Sequence, residues 1–312
     1  MRFENRLTRM LGVDYPIVQA PMGLIATGAF AAAVSNAGAF GLVGVGTGDR
    51  ETIARELAEA RRLATRPYSA NIALAFLRDP AIVQMIVDAG IRVVTTSAGD
   101  PSRYAPVLKA AGITVFHVVP TLDAARKAMA AGVDGLVVEG GEGGGFKGNV
   151  QVGTMVLVPQ IRAHCDLPLV AAGGIADGDS MAAAFALGAD GVPMGTRLVA
   201  STEAGVHDNW KNAIVASAET DTLILNAFGK PTVRVMRTRR TEALEKKADL
   251  NLMAELQNAA DLYFGGDMEA SVALLGQVCG RIRAVQPVAE IVAETMAGFR
   301  AALRRLGALA DA

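Results

Sequence analysis

Two glycine-bearing segments carry the residue types that hold an anion. VAAGGI runs from Val170 to Ile175, and DGVPMGTR follows from Asp190 to Arg197. Each is an apolar run with little alternation, the pattern of a parallel strand buried on both faces, and each reaches glycine where a loop should begin. Gly173, Gly174, Gly195 and Thr196, with Met194 just before them, would present backbone N–H groups and one hydroxyl at neighbouring strand ends. In a β/α barrel the loops after the seventh and eighth strands, with a short helix N-terminus, form the usual phosphate site. Two glycine turns without a ligand are the alternative.

A third segment, EGGEGGGFKGNV from Glu139 to Val150, has five glycines in its first seven residues. Each costs backbone entropy to order, so such density belongs where backbone approaches a flat or phosphorylated ligand, here through Gly144 and Gly145. Lys147 is the candidate acid, base or anion anchor of this loop, because a lysine in a partly dry pocket titrates more easily. It is equally readable as a solvated loop charge. Glu142 and Glu139 are further candidates. His117, in ITVFHVVPT, falls at the end of a strand where it faces either the ligand or the core. His164 is expected at a turn on the opposite face, and His207 at a helix start near Asp208 and Asn209. With no HxH, HExxH or carboxylate-rich cluster, no metal is expected. Arg234, Arg237, Arg239 and Arg240 read either as a clamp for nucleotide or coenzyme A phosphates, or as a solvated surface paired with Glu242 and Glu245.

The elements that must position these residues are marked by a repeated junction. SNAGAFGLV at Gly38, VDAGIRVV at Gly90, KAAGITVF at Gly112, MAAGVDGLVV at Gly132 and ALGADGVPM at Gly188 each read as an alanine-rich helix, a glycine cap and a β-branched strand. Pro67 and Pro168 mark two more junctions, and YPIVQAP opens the series. Eight strands in βα alternation predict a TIM (β/α)8 barrel. An open doubly wound sheet is disfavoured, because the first strand ends at APMG and not at GxGxxG. Residues 1–200 and 285–312 are assigned to the barrel, and 201–284 to a small, mainly helical cap inserted after the eighth strand. Within the cap, a helix holds Trp210 and Lys211, NAFGKPTVRVMRTRR is irregular, and helices cover about Leu244 to Leu262 and Met268 to Arg283. The last helix shows Val292, Met296, Phe299, Leu303 and Leu306 as one stripe that should pack on the barrel.

The chain of 312 residues is 51% hydrophobic with a formal charge of −1, enough to bury a full core without staples. Its pI of about 6.3 and scattered cations argue against nucleic acid or an anionic membrane as partner. Cys165 and Cys279 stand apart from any ligand set, which fits a reducing, cytoplasmic setting, and no segment reads as a targeting or membrane-spanning sequence.

Taken in order, APMG at Ala20, AVSNAGAFG at Ala33, EGGEGGG at Glu139, VAAGGIADG at Val170, ALGADGVPMGTR at Ala186 and GKPTVRVMRT at Gly229 resemble the nitronate monooxygenase family. The FMN-dependent enoyl-acyl carrier protein reductases are similar. The resemblance implies an FMN-binding barrel whose mouth is covered by a smaller, mainly helical domain. It implies that Ala20, Pro21 and Met22 lie along the isoalloxazine edge, with Asn71 near the ring, and that Gly173, Gly174, Gly195 and Thr196 hold the phosphate. Glu139 would bond backbone N–H groups or the ribityl chain. The family's glycine loop ends in a histidine placed as acid or base; this chain has Phe146 there. Two chemistries follow: oxidation of an already anionic nitronate, or NAD(P)H-dependent reduction of an enone, quinone or acyl thioester carried on coenzyme A or an acyl carrier. A barrel that binds a phosphate ligand without redox turnover is the remaining class. No motif sets the substrate, the reductant or the oligomeric state.

Overall fold

The computed structural model describes residues 2–46, 48–148 and 150–310, so Asn149 of the glycine loop and the last two residues of the assigned barrel lie outside it. Eleven strands occur among the described residues: β1 (Ile17–Gln19), β2 (Leu42–Gly44), β3 (Ser69–Ala73), β4 (Val93–Ser97), β5 (Thr114–Val119), β6 (Gly135–Glu139), β7 (Gly145–Lys147), β8 (Leu169–Ala172), β9 (Val192–Met194), β10 (Thr222–Leu225) and β11 (Thr232–Met236). β2, β3, β4, β5, β6 and β8 form one parallel ladder, and β1 pairs in parallel with β9. Single parallel bridges join the two pieces, Val18 to Phe40 on one side and Val170 to Gly191 on the other. Pairing therefore runs through eight parallel strands and returns to its start, the connectivity of a TIM barrel.

The sequence builds this ring by the same device at five of its helix-to-strand turns. Gly38, Gly90, Gly112, Gly132 and Gly188 all have positive φ, the left-handed conformation in which a helix ends and hands the chain to a strand. Strand alternation then sorts side chains onto two faces. Val18, Phe40, Leu42, Val93, Phe116, Val137, Val170 and Ala172 cluster inside the ring, and Leu7 and Leu11 of the first helix, Arg6–Leu11, pack with them. Ile17, Val94, Val115, Val119, Leu136, Val138, Leu169 and Ala171 belong to the larger outer cluster under the helices. Each fully buried aliphatic side chain contributes about 1.5–3 kcal/mol.

After β9, helix still outweighs strand, but the stretch is organised on a three-stranded antiparallel sheet in the order β10-β11-β7. Its third strand, β7, comes from the glycine loop of the barrel, with Phe146 opposite Val233 and Lys147 opposite Thr232. This corrects the reading of TVRVM as irregular: alternating Val233 and Val235 are fully buried in the small cluster under this sheet. The expected helix over Leu244 to Leu262 is broken into Arg239–Glu245, Leu252–Glu255 and Ala259–Tyr263. Met268 to Arg283 is not a helix; it runs past the sheet, bridging Val235 at Leu274, and ends in a 3-10 turn, Gln277–Arg281. The expected helix holding Trp210 and Lys211 is present as Asp208–Ala216. Ser201 and Gln286, at the two ends of the stretch, bridge one another.

The last helix, Val288–Ala310, buries Val292, Met296 and Phe299. The stripe does not stay covered: Leu303 is 43% and Leu306 45% exposed. The nine-residue helix against which it packs, Gly178–Ala186, is much shorter. Contact there is close enough that a Cβ on Gly178 would lie 2.0 Å from the Phe299 backbone nitrogen. No helix among the described residues is long and apolar enough to cross a membrane.

Candidate active site

The glycine segments meet at the carboxyl ends of β1, β6, β8 and β9. Gly173 and Gly174 follow β8 with φ of 90° and 77°. A Cβ on Gly173 would come within 3.0 Å of the Gly140 carbonyl and the Thr154 hydroxyl, so the glycine loop lies directly against it. Gly195 precedes the short helix Thr196–Val199, and a Cβ there would lie 3.4 Å from Ala20 Cβ and 3.8 Å from Met22 Sδ. Ala20 is tied to this end of the ring, its N–H donating to the Met194 carbonyl at 2.9 Å. Sequence positions more than 170 apart thus form one cradle lined by backbone.

Inside the mouth, the inward positions of the strands carry polar groups. Asn71 alternates with Ala70 and Ile72, which face outward, and its side chain is inside the ring. It is 5% exposed; Nδ2 donates to Ser97 Oγ at 3.3 Å, whereas Oδ1 has no partner. A buried carbonyl oxygen left unmatched costs about 1–3 kcal/mol, so a donor is expected there. Glu139, inward on β6 by the same alternation as Val137, forms an ion pair with Lys147, whose side chain is only 4% exposed. Phe146 packs against Phe76, with ring centroids 5.3 Å apart, and against the apolar cluster of the small sheet.

Several candidates have other partners. Glu142 accepts hydrogen bonds from the Thr154 N–H at 2.9 Å and the Thr154 hydroxyl at 3.0 Å, capping the helix Thr154–Arg162, whose own N-cap is Gly153. The Met194 side chain packs in the outer cluster, so only its backbone reaches the cradle. His117 shares the outward face of β5 with Val115 and Val119, so it does not look into the mouth; Nδ1 lies 2.8 Å from Thr96 Oγ1. Burial lowers its pKa from 6.5 to about 4, opposed by hydrogen bonding to the Gly99 backbone and by the Asp100 charge. His164 is exposed and lies 2.9 Å from the Gln160 carbonyl. His207 caps Asp208–Ala216, its Nδ1 accepting from the Asn209 N–H.

The arginine cluster is dispersed. Arg234 donates to the Gly141 carbonyl at 2.9 Å and to Thr222 Oγ1, so it pins the glycine loop; desolvation lowers its pKa, and Glu142 opposes the shift. Arg237 pairs with Glu242, and Arg240 with Glu255. Two contributors were missed in the sequence. Ser97 holds Asn71, and the segment at Gly276 and Gln277 closes over the cradle, the Gly276 N–H donating to Thr196 Oγ1 at 3.1 Å and the Gln277 N–H to the Glu142 carbonyl at 3.0 Å. Only the two glycines of GQVCG hinted at the latter. A cavity of about 210 Å³ borders Gly23, Gly44 and Glu56 and is walled by Phe264 from the region after β9. No group of three or more metal-ligating side chains occurs among the described residues.

The fold is a parallel β/α ring with a cradle of backbone after its last two strands. The model of the nitronate monooxygenase family matches residues 4–81 and 77–298, and the chain belongs to that family. It is 32% identical over 279 residues to the nitronate monooxygenase of Paraburkholderia phytofirmans, covering 75% of this chain and 76% of the relative. It is also 32% identical over 258 residues to (3aS,4S,5R,7aS)-5-hydroxy-7a-methyl-1-oxo-octahydro-1H-indene-4-carboxyl-CoA dehydrogenase of Rhodococcus jostii, covering 82% and 72%. Among solved structures, FabK from Thermotoga maritima aligns with a TM-score of 0.93 at 34% identity over 98% of this chain and 99% of that one. Nitroalkane oxidase from Streptomyces ansochromogenes aligns with a TM-score of 0.82 at 26% identity, covering 96% and 99%. Monooxygenase, dehydrogenase and oxidase are all oxidoreductases, and the chain is an enzyme of that broad class.

Proposed function

We propose that this chain is an FMN-dependent oxidoreductase acting on a small molecule, either a nitronate or related carbanion, or an electron-poor acceptor. The observation that carries the reading is Asn71 Oδ1, a buried acceptor without a donor, set inside the ring on β3. In an eight-strand ring β3 stands opposite β8, so a ligand anchored by phosphate at Gly173, Gly174, Gly195 and Thr196 would reach Asn71 with its far end. The pyrimidine edge of an isoalloxazine ring carries an N–H that fits such an acceptor. FMN, when bound, would supply the electron transfer. The chain's own residues would hold the phosphate by backbone N–H groups, present Ala20, Pro21 and Met22 along one ring edge, and move a proton at Lys147 Nζ.

Lys147 is paired with Glu139 and shielded from water, so it is a fixed donor and not a drifting loop charge. Phe146 cannot remove a carbon-bound proton, because it has no titratable group. This supports substrates that need no such base: a preformed nitronate, or an enone, quinone or acyl thioester reduced at the expense of NAD(P)H. The similarity to a dehydrogenase named for an indene-carboxyl-CoA favours including a coenzyme A thioester among the acceptors tested.

The test begins with the visible spectrum. Purified protein should be yellow and release FMN, not FAD, on denaturation; colourless protein that takes up no added FMN overturns the flavin reading in favour of non-redox phosphate-ligand binding. Steady-state rates then separate the chemistries: brisk turnover of neutral nitroalkanes would contradict the reading of Phe146. Oxidation of preformed nitronates without NAD(P)H turnover supports the first chemistry, and the converse supports the second.

A further inference from the structure

We infer that His117, on the outer face of the barrel, is a positioning residue for Asn71, acting through the loop that leaves β4; the inference rests on the FMN reading above. The link is a chain of contacts through the strand. Along β4, Thr96 points outward and Ser97 inward by alternation. The outward Thr96 hydroxyl lies 2.8 Å from His117 Nδ1, and the same hydroxyl reaches the Phe116 carbonyl at 3.3 Å. The next inward residue, Ser97, receives the Asn71 Nδ2 proton at 3.3 Å. Between Ser97 and Gly99 stands Ala98, with φ of 52°, one of two non-glycine residues among the described ones in the left-handed region.

An L-residue does not rest there without external hold, because its Cβ crowds the following carbonyl. Two holds are visible. The Ala98 carbonyl accepts the Ala75 N–H at 2.8 Å, and His117 Nδ1 lies 2.8 Å from Thr96 Oγ1 on the strand side of the turn. The packing leaves no slack at Gly99, where a Cβ would lie 2.8 Å from Leu74 Cβ. With both ends of the turn fixed, Ser97 is kept against Asn71. Its hydroxyl occupies Asn71 Nδ2, and that sets the amide so that Oδ1 is the atom left without a partner. A residue that never meets the ligand thereby fixes the acceptor that does.

The experiment uses the full-length protein, with FMN affinity and flavin visible spectrum as readouts. His117→Phe keeps a buried ring but removes both nitrogens, and Thr96→Val removes the hydroxyl without changing shape. Each should weaken FMN by roughly tenfold, the worth of about one hydrogen bond, and should shift the flavin bands as Asn71→Ala does. His117→Asn, which restores a polar group near Nδ1, should recover part of the affinity. Combined with Asn71→Ala, His117→Phe should add little, since the two act on one interaction. If His117→Phe lowers melting temperature yet leaves affinity and spectrum unchanged, or if the double variant is additive, the inference is overturned. Wild-type protein that takes no FMN defeats the functional reading instead. In that event crystal structures decide the loop: Ala98 leaving the left-handed region in Thr96→Val, with the Ser97–Asn71 bond broken, upholds the positioning role, and an unmoved loop ends it.

Discussion

At the scale of the residue, the decisive quantity is whether a charge has been taken out of water. Lys147 has, with its side chain 4% exposed, whereas its partner Glu139 keeps 26%. Lys147→Met should therefore strand a carboxylate that water still reaches, with a stability loss below the roughly 3–5 kcal/mol of breaking a fully buried pair. If Nζ donates the proton, turnover should fall about 10²- to 10⁴-fold with FMN content unchanged; equal rates at equal flavin loading would remove Lys147 from the mechanism. The sequence did not decide between the two readings of this lysine, because the glycine-rich loop around Phe146 and Lys147 carries no periodicity, and only the pairing of β7 decides its face. His117 carries a second prediction, read as stability against pH. Its folded pKa of about 4 lies below the ordinary 6.5, so the unfolded chain binds the proton more readily. Stability should be unaffected by this group above pH 6.5 and fall between pH 6.5 and 4, by about 3 kcal/mol in all. Urea denaturation across that range measures it, and His117→Asn should flatten that part of the slope. The Asp100 charge favours the protonated form, so Asp100→Asn should lower the folded pKa further.

At the scale of the element, Glu142 shows why a candidate acid was legible only as a residue type. Its carboxylate stands in for the N-cap side chain that Gly153 lacks, binding the first N–H and the hydroxyl of Thr154 twelve residues away. Spacing rules find capping partners three residues apart, not across a loop. Glu142→Ala should destabilise by about 1–2 kcal/mol, in the range of a lost cap with its charge at a helix N-terminus. It should leave the flavin chemistry of folded protein intact, and a loss of turnover without a drop in melting temperature would return Glu142 to the catalytic list. The barrel strands were legible because five of the eight follow a glycine cap and two more follow a proline at the helix–strand junction. β7 was not, since a three-residue strand of Gly, Phe and Lys has no signature of its own and acquires one only from its partner β11. The breaks between Leu244 and Leu262 escaped for a related reason: apolar residues recur there at helical spacing, while Asn251 and Asn258, the cap positions of the two later short helices, are only weak stop signals.

At the scale of the whole molecule, the question is whether residues 201–284 are a second domain. The bridge between Ser201 and Gln286 brings both ends of the stretch together, which is the geometry of a separable insertion. β7 argues the other way. The small sheet needs Gly145–Lys147 as its third strand, Arg234 binds the Gly141 carbonyl, and Gly276 closes on Thr196, so the cap cannot unfold without opening the glycine loop. Two probes distinguish these possibilities in one experiment. Trp210 is the only tryptophan of the chain and is buried against Tyr263 within the stretch after β9, with ring centroids 5.8 Å apart. Far-UV circular dichroism is dominated by the barrel helices. If the sheet binds the two parts into one cooperative unit, fluorescence and dichroism should follow the same denaturant curve with the same midpoint. A fluorescence transition at clearly lower denaturant would mean that the region around Trp210 melts first and that the shared strand does not couple it to the barrel. Added FMN sharpens the test: a ligand held by the barrel loops should move both midpoints upward together, by RT ln(1 + [L]/Kd) in free energy, only if the two parts unfold as one.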